Sequence, residues 1–231
     1  MDDLVAQVSG VSALAEPARR ALYLYVVAQP EPVSRDQAAA GVDLPRHAAK
    51  FHLDKLVAEG LLDTEFRRLS GRRGPGAGRP TKLYRRSDRQ VAVTLPPRRY
   101  DLAGQILAGA VDEAARTGGP VLEAVQRAAA AAGHRLGAPQ GPSGAPRAAA
   151  TLDSLCAALA AHGYEPRAEG AEVVLANCPF HALAREHTAL VCGMNLHLIT
   201  AMLDELGHPG VQARLDPAPD RCCVRLTADP A

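Results

Sequence analysis

Four cysteines fall within the last 54 residues of the chain. Cys178 and Cys192 sit fourteen positions apart in NCPFHALAREHTALVCGMN, and Cys222 and Cys223 are adjacent in RCCVRL. Thiolates are soft ligands and nucleophiles. Three of them suit zinc, or an iron–sulfur cluster with a fourth ligand from elsewhere. His181 and His187 lie in the same segment and could supply that ligand. The same thiols could instead oxidise reversibly. No CxxC is present, so spacing alone leaves these chemistries open. A thiol enzyme using Cys178 or Cys192 with His187 as base would also need an oxyanion hole and an orienting acid. Neither is legible, and a binding protein is expected rather than an enzyme. The fifth cysteine, Cys156 in LDSLCAALAAHGY, shares an apolar helix with Leu152, Leu155 and Leu159 and reads as packing.

These thiols need elements to position them. AEVVLAN (171–177) reads as a strand that ends at Cys178. Helices are expected over 150–162, around 180–187 and over 192–206. The last would place Cys192 at a helix start, where the dipole favours a thiolate. VQARL and CCVRL read as two closing strands. Side chains alternate along a strand, so Cys222 and Cys223 should face opposite ways. At most one of them then joins a site with Cys178 easily.

The N-terminal part has a different chemistry. Residues 11–28 carry Leu14, Ala18, Ala21, Leu22, Tyr25 and Val26 at helical spacing, with Pro17 suited to a first turn. Ser34 and Gln37 stand as a capping box before a second helix. PRHAAKFHLDKLVAEG predicts a third helix between Pro45 and Gly60, with Ala49, Leu53, Leu56 and Val57 inward. LLDTEF and TKLYRR read as strands around a Gly/Arg/Pro loop. Three helices followed by a hairpin are the plan of a winged helix-turn-helix. The segment from Arg67 to Arg89 holds nine Lys/Arg against one acid, Asp88, in a chain of net charge +1. Such a local excess points to an anion-binding wing. An exposed helix face can enter the major groove. Arg46, His47, Lys50, Phe51 and His52 are the candidates there, with Arg46 best matched to guanine. Arg72, Arg73, Arg79 and Lys82 are the candidates on the wing for the phosphate backbone.

A helix over about 99–117 carries Leu102, Ile106, Leu107, Ala110 and Val111 on one stripe, a candidate dimer face with intrachain packing as the alternative. A second helix follows over roughly 119–133, then a Pro/Gly/Ser linker at 137–146. The expected fold is α+β. It comprises a winged helix-turn-helix domain (1–96), a helical dimerisation segment (97–136) and a small C-terminal α/β sensor domain (149–231). MDDLVAQVSG has neither a basic nor an apolar leader region, and no run approaches the ~18 apolar residues of a membrane span. A cytoplasmic protein without a membrane partner is expected, and its reducing surroundings argue against a disulfide framework.

Two resemblances sharpen this reading. LAEPARRALYLYVVAQPEPVSRDQAAAGVDLPRHAAKFHLDKLVAEGLL, followed by GRRGPGAGRPTKLYRRS, resembles the ArsR-like winged-helix transcriptional regulators. That resemblance implies a homodimer on a palindromic double-stranded DNA operator. The pattern CPF…LA..H..LVC…CCV is similar to the C-terminal domain of the Suf-operon repressors of the same group. It implies an iron–sulfur cluster on three cysteines, matched here by Cys178, Cys192 and Cys222, whose state controls operator binding. Cys223 is an extra thiol, and Cys223 or His187 is the candidate fourth ligand. Zinc in place of the cluster, thiol-based sensing of metals or oxidants, and a small-molecule effector are the alternatives.

Overall fold

The computed structural model describes residues 2–68, 80–138, 151–170 and 172–228. The chain divides into two compact units, Met1–Val93 and Thr94–Ala231. The segment expected to stand alone over 97–136 is therefore part of the second unit.

In the first unit the helix expected over 11–28 is two helices, α1 (Asp2–Ala13) and α2 (Pro17–Val27). The break follows from Pro17, which opens α2, and from Glu16, whose carboxylate accepts from Ala18 N at 3.2 Å and Arg19 N at 2.7 Å. A short strand β1 (Val33–Ser34) leads into α3 (Arg35–Gly41) through the expected capping box. Ser34 Oγ accepts from Gln37 N at 3.3 Å, and Gln37 Oε1 accepts from Ser34 N at 2.8 Å. The chain then turns through Asp43, at φ 53°, into α4 (Arg46–Ala58). A Cβ at Gly41 would sit inside the Tyr25 ring, so the α2–α3 approach requires glycine there. The hairpin β2 (Leu62–Arg67) and β3 (Thr81–Arg86) pairs antiparallel from Leu62↔Arg86 to Arg67↔Thr81, and β1 joins the far edge of β3. Leu22, Val26, Ala38, Ala49, Leu53, Leu56 and Leu62 close the core. Each buried leucine adds roughly 2 kcal/mol. The wing residues Arg72, Arg73 and Arg79 lie outside the described residues.

The second unit begins with an antiparallel helix pair, α5 (Tyr100–Thr117) and α6 (Val121–Gly137), turned at Gly118 with φ 69°. After α7 (Leu152–Ala161) come β4 (Pro166–Glu169), β5 (Glu172–Leu175), α8 (His181–Glu186), α9 (Thr188–Leu206), β6 (Val211–Leu215) and β7 (Val224–Ala228). The sheet is antiparallel in the order β4-β5-β7-β6. Helix α6 packs closely on α9. A Cβ at Gly133 would overlap the Leu198 carbonyl oxygen, and one at Gly137 would lie 2.8 Å from Met202 O. The small residues of α6 thus let two backbones approach. The stripe expected as a dimer face is buried within this unit instead. Leu102, Ala103, Ile106 and Ala110 join its core, while Val111 stays exposed. Helix α9 is long and apolar enough, by length and composition, to cross a membrane. Here its Val191, Met194, Leu198, Ile199 and Met202 are core residues of the unit.

Three boundaries differ from expectation, and each bears on the cysteines. Helix α9 starts at Thr188, so Cys192 is in its second turn rather than at its N-terminus. Strand β5 ends at Leu175, three residues before Cys178. Strand β7 starts at Val224, after the cysteine pair.

Candidate nucleic-acid interface and cysteine pocket

Helix α4 has two faces. Ala49, Leu53 and Leu56 are fully buried, while Arg46, His47, Lys50 and Phe51 are exposed. Positions i, i+1, i+4 and i+5 share one side of a helix, so these four side chains form a single surface. Phe51 stays 66% exposed on this surface. His52 departs from the expected set. Its ring turns toward α2 and lies 3.5 Å from the Glu16 carboxylate with only 16% of its side chain exposed. It belongs to the α2–α4 packing.

Two aspartates organise the cations. Asp36 on α3 takes Arg46 at 2.9 Å and Arg35 at 3.2 Å. Asp54 on α4 takes Lys50 at 2.8 Å from its own helix and Lys82 at 2.8 Å from β3. Tyr84 donates its hydroxyl to the same carboxylate at 3.2 Å, and Lys82 also lies 5.0 Å from the Tyr84 ring centre. Asp54 therefore ties the exposed helix to the wing strand. Partial burial pulls its carboxyl upward, but hydrogen bonds and charge from Lys50 and Lys82 outweigh that and hold it at about 2. Neither aspartate was singled out from the sequence, although the i,i+4 spacing of Lys50 and Asp54 was readable there. Pairs this exposed are weak, so phosphates can compete for the cations at small cost.

In the second unit, Cys178, Cys192, Cys222 and Cys223 all line one cavity of about 260 Å³, together with His181 and Thr188. The expectation that Cys222 and Cys223 diverge does not hold, because they precede β7 and escape its alternation. The connection turns through Asp220 at φ 59°. Asp216 anchors it, accepting from Arg221 at 2.8 Å through its side chain and donating its N–H to Cys223 O at 2.8 Å. Cys222 N donates to Leu175 O at 2.8 Å, which seats the pair beside the end of β5.

The four sulfurs form two pairs. Cys192 and Cys223 are joined in a disulfide, with Cα atoms 6.3 Å apart. A bonded pair was not expected from the sequence. Cys178 and Cys222 are free and buried. Tyr164 donates to Asn195 Oδ1, and Asn195 Nδ2 donates to Cys222 Sγ at 3.3 Å. The neighbouring Cys222 thiol lowers the Cys178 thiol against its burial, helped by the Phe180 N–H and the Arg98 charge. Cys178, followed by burial, pushes Cys222 strongly up. His187 is exposed at the N-cap of α9 and is not among the lining residues; His181 is. Cys156 is partly buried against the core, as expected of a packing residue.

Among the described residues no group of three or more His, Cys, Asp or Glu side chains is arranged to hold a metal ion. With Cys192 bonded to Cys223, only two thiols remain in the cavity. Opening that bond would leave four thiols lining the same cavity, and thiolates are donors of the kind that iron–sulfur clusters and zinc take.

Comparison with known proteins bears on the first unit. A family model described as a helix-turn-helix domain matches residues 14–65, from before α2 into β2. No curated protein and no solved structure matches the chain. The match, with the hairpin behind it, supports a winged helix-turn-helix domain and a DNA-binding transcriptional regulator.

Proposed function

We propose that this DNA-binding regulator is controlled by the state of its cysteine pocket, and that it acts as a homodimer on a palindromic duplex operator. The carrying observation is the convergence of Cys178, Cys192, Cys222 and Cys223 on one cavity. In the reduced chain, Cys178, Cys192 and Cys222 would hold an iron–sulfur cluster, with Cys223 or His181 near enough to the same cavity to complete the set. Such a cluster supplies an oxidant-labile redox centre when bound. Arg98 places positive charge beside Cys178, and the Asn195 amide and Val224 N–H donate toward Cys222 Sγ. Donors of this kind stabilise anionic sulfur. Closing Cys192 to Cys223 removes two protons and passes two electrons to an oxidant such as a hydroperoxide. The thiol set then falls from four to two, which cannot hold the group. A second reading, in which the disulfide alone is the signal, is favoured by the bonded pair itself.

On the DNA side, Arg46, His47, Lys50 and Phe51 would enter the major groove, and Lys82 with the wing would follow phosphates. One such helix per chain reads a half-site, and two-fold pairing sets half-sites ~34 Å apart. The α5 stripe is largely buried, and α1 exposes Leu4, Val5, Val8 and Val11, which would offer an apolar surface for pairing.

The deciding experiment is anaerobic purification followed by a visible spectrum, iron, sulfide and zinc analysis, and duplex binding before and after mild oxidation. Absorption near ~400 nm with matching iron and sulfide supports the cluster. A colourless chain with bound zinc moves the reading to zinc. A metal-free chain whose DNA affinity follows the disulfide supports the second reading. Binding that ignores both metal and oxidation overturns the sensor proposal.

A further inference from the structure

Cys178 and Cys222 are placed as a pair independently of the bonded one. With Cys192 and Cys223 bonded, Cys178 and Cys222 are the two free thiols that line the same cavity. The backbone enforces the approach, since Cys222 N–H is bonded to Leu175 O at 2.8 Å, three residues before Cys178. Asn195 Nδ2 at 3.3 Å and Val224 N–H at 3.5 Å both reach Cys222 Sγ and fix where that sulfur sits. Both cysteines line the cavity of about 260 Å³, which has room for a small hydroperoxide beside several waters of ~30 Å³ each. Cys178 keeps 7% of its surface exposed and Cys222 only 1%, so an entering oxidant meets Cys178 first.

We propose that Cys178 and Cys222 are a second oxidisable dithiol, so that the fully oxidised pocket carries two disulfides. The proposal rests on the reading of this pocket as a redox sensor and adds a second two-electron step to it. The Cys178 sulfur attacks one oxygen of a hydroperoxide. The O–O bond breaks, the alcohol (water, for hydrogen peroxide) leaves with the thiol proton, and Cys178 becomes a sulfenic acid. The Cys222 sulfur then attacks the Cys178 sulfur. The S–O bond breaks, and water leaves carrying the Cys222 proton. One hydroperoxide is reduced and two thiols are oxidised to one disulfide. Cys222 thus serves as the resolving thiol, lining the same cavity as its target. Cys156, on α7 and not among the cavity's lining residues, is the internal control.

The test is a hydrogen peroxide titration of the full chain, quenched in acid, alkylated under denaturing conditions and mapped by mass spectrometry without reduction. With Cys192–Cys223 closed, three thiols alkylate at the start. Peroxide should reduce these to Cys156 alone, and a linked peptide should join Cys178 to Cys222. In Cys222→Ser, and in Cys222→Ala should serine disturb the fold, dimedone should trap a sulfenic acid on Cys178. The proposal is overturned if Cys178 and Cys222 still alkylate after a tenfold excess of peroxide, or if Cys178 links to Cys192 or Cys223. Duplex binding on the same samples separates the two readings. A Cys178–Cys222 bond that leaves DNA affinity unchanged sinks the sensor reading and keeps this one. An affinity that responds to oxidation without that bond does the reverse.

Discussion

The two units place their chemistry on opposite sides of the protein–water boundary. The first unit exposes it. Arg46, His47, Lys50 and Phe51 stand out on α4 while Leu53 and Leu56 face inward. The second unit encloses it. Cys178, Cys192 and Cys222 are buried among the residues that build the core, and α9 carries both Met194 and Leu198 for packing and Cys192 and Asn195 for the pocket. A polyanionic duplex must be met at a surface, by charges that solvent keeps weakly paired. A small oxidant or a cluster is met in a cavity, where nearby dipoles and limited water govern sulfur. The lesson is that function and stability should separate by side chain in the first unit and stay entangled in the second.

The most disruptive test of that contrast is Gly133→Val. The new side chain would meet backbone at Leu198 and Ala201 Cβ, 2.9 Å from the first added carbon. Helix α6 must then lift from α9, at a cost of roughly 3 kcal/mol or more. Hydrogen exchange should show lost protection in α6 and α9 and faster alkylation of Cys178 and Cys222, with the α2–α4 amides unchanged. Exchange that stays native in α9 would break the link between the helix crossing and the pocket.

Leu53→Ala comes next. It empties a fully buried site in the first unit and should cost about 3 kcal/mol, with DNA binding lost as the unit opens. Denaturant unfolding read by hydrogen exchange is the check, and the thiol pairing pattern should survive.

Arg46→Ala should sharpen the comparison from the other side. Its partner Asp36 is exposed, so stability should barely change. Affinity for a duplex selected from a randomised pool should drop by about 1–3 kcal/mol, and discrimination should relax at one base pair. A uniform loss across sequences would make Arg46 a phosphate contact instead.

The smallest effect is the pH dependence of Asp54. Its carboxyl is depressed from 3.8 to about 2, so the stability from its pairs is fully present above about pH 4 and lost as pH falls toward 2. The exposure of Lys50 and Lys82 keeps the contribution small. The parent should exceed Asp54→Asn in stability by a small, constant margin above about pH 4, and the two should converge as pH falls toward 2; a margin that persists through that window would assign the difference to something other than the carboxylate's charge.

Local signals carried much of the first unit. Helices α3 and α4 and the pairing of LLDTEF with TKLYRR follow from a capping box, a 3.6-residue stripe and strand-forming runs. Helix α1 was missed because Ser9, Gly10 and Ser12 dilute its periodicity, and it is held by contacts from afar. Ser9 donates to Glu59 at 2.6 Å, and Arg89 donates to Ala6 O at 3.0 Å. The edge strand β4, PRAE, has no apolar alternation to reveal it. His52 was read as a surface residue because its inward turn depends on where Glu16 lies.

For the pocket, composition and order along the chain determined which residues could act: four thiols near two histidines, and a basic wing behind a helix-turn-helix. They also determined the faces of α4, since helical periodicity is a local property. Only the tertiary structure decided which sulfur meets which. Cys192 and Cys223 are 31 residues apart and meet because α9 packs beside the β6–β7 connection. Cys222 reaches Cys178 because its N–H bonds to the end of β5. Pairings of that kind depend on long-range strand order and on where a strand begins, and a shift of a residue or two in the start of β7 is enough to turn a cysteine from one face to the other.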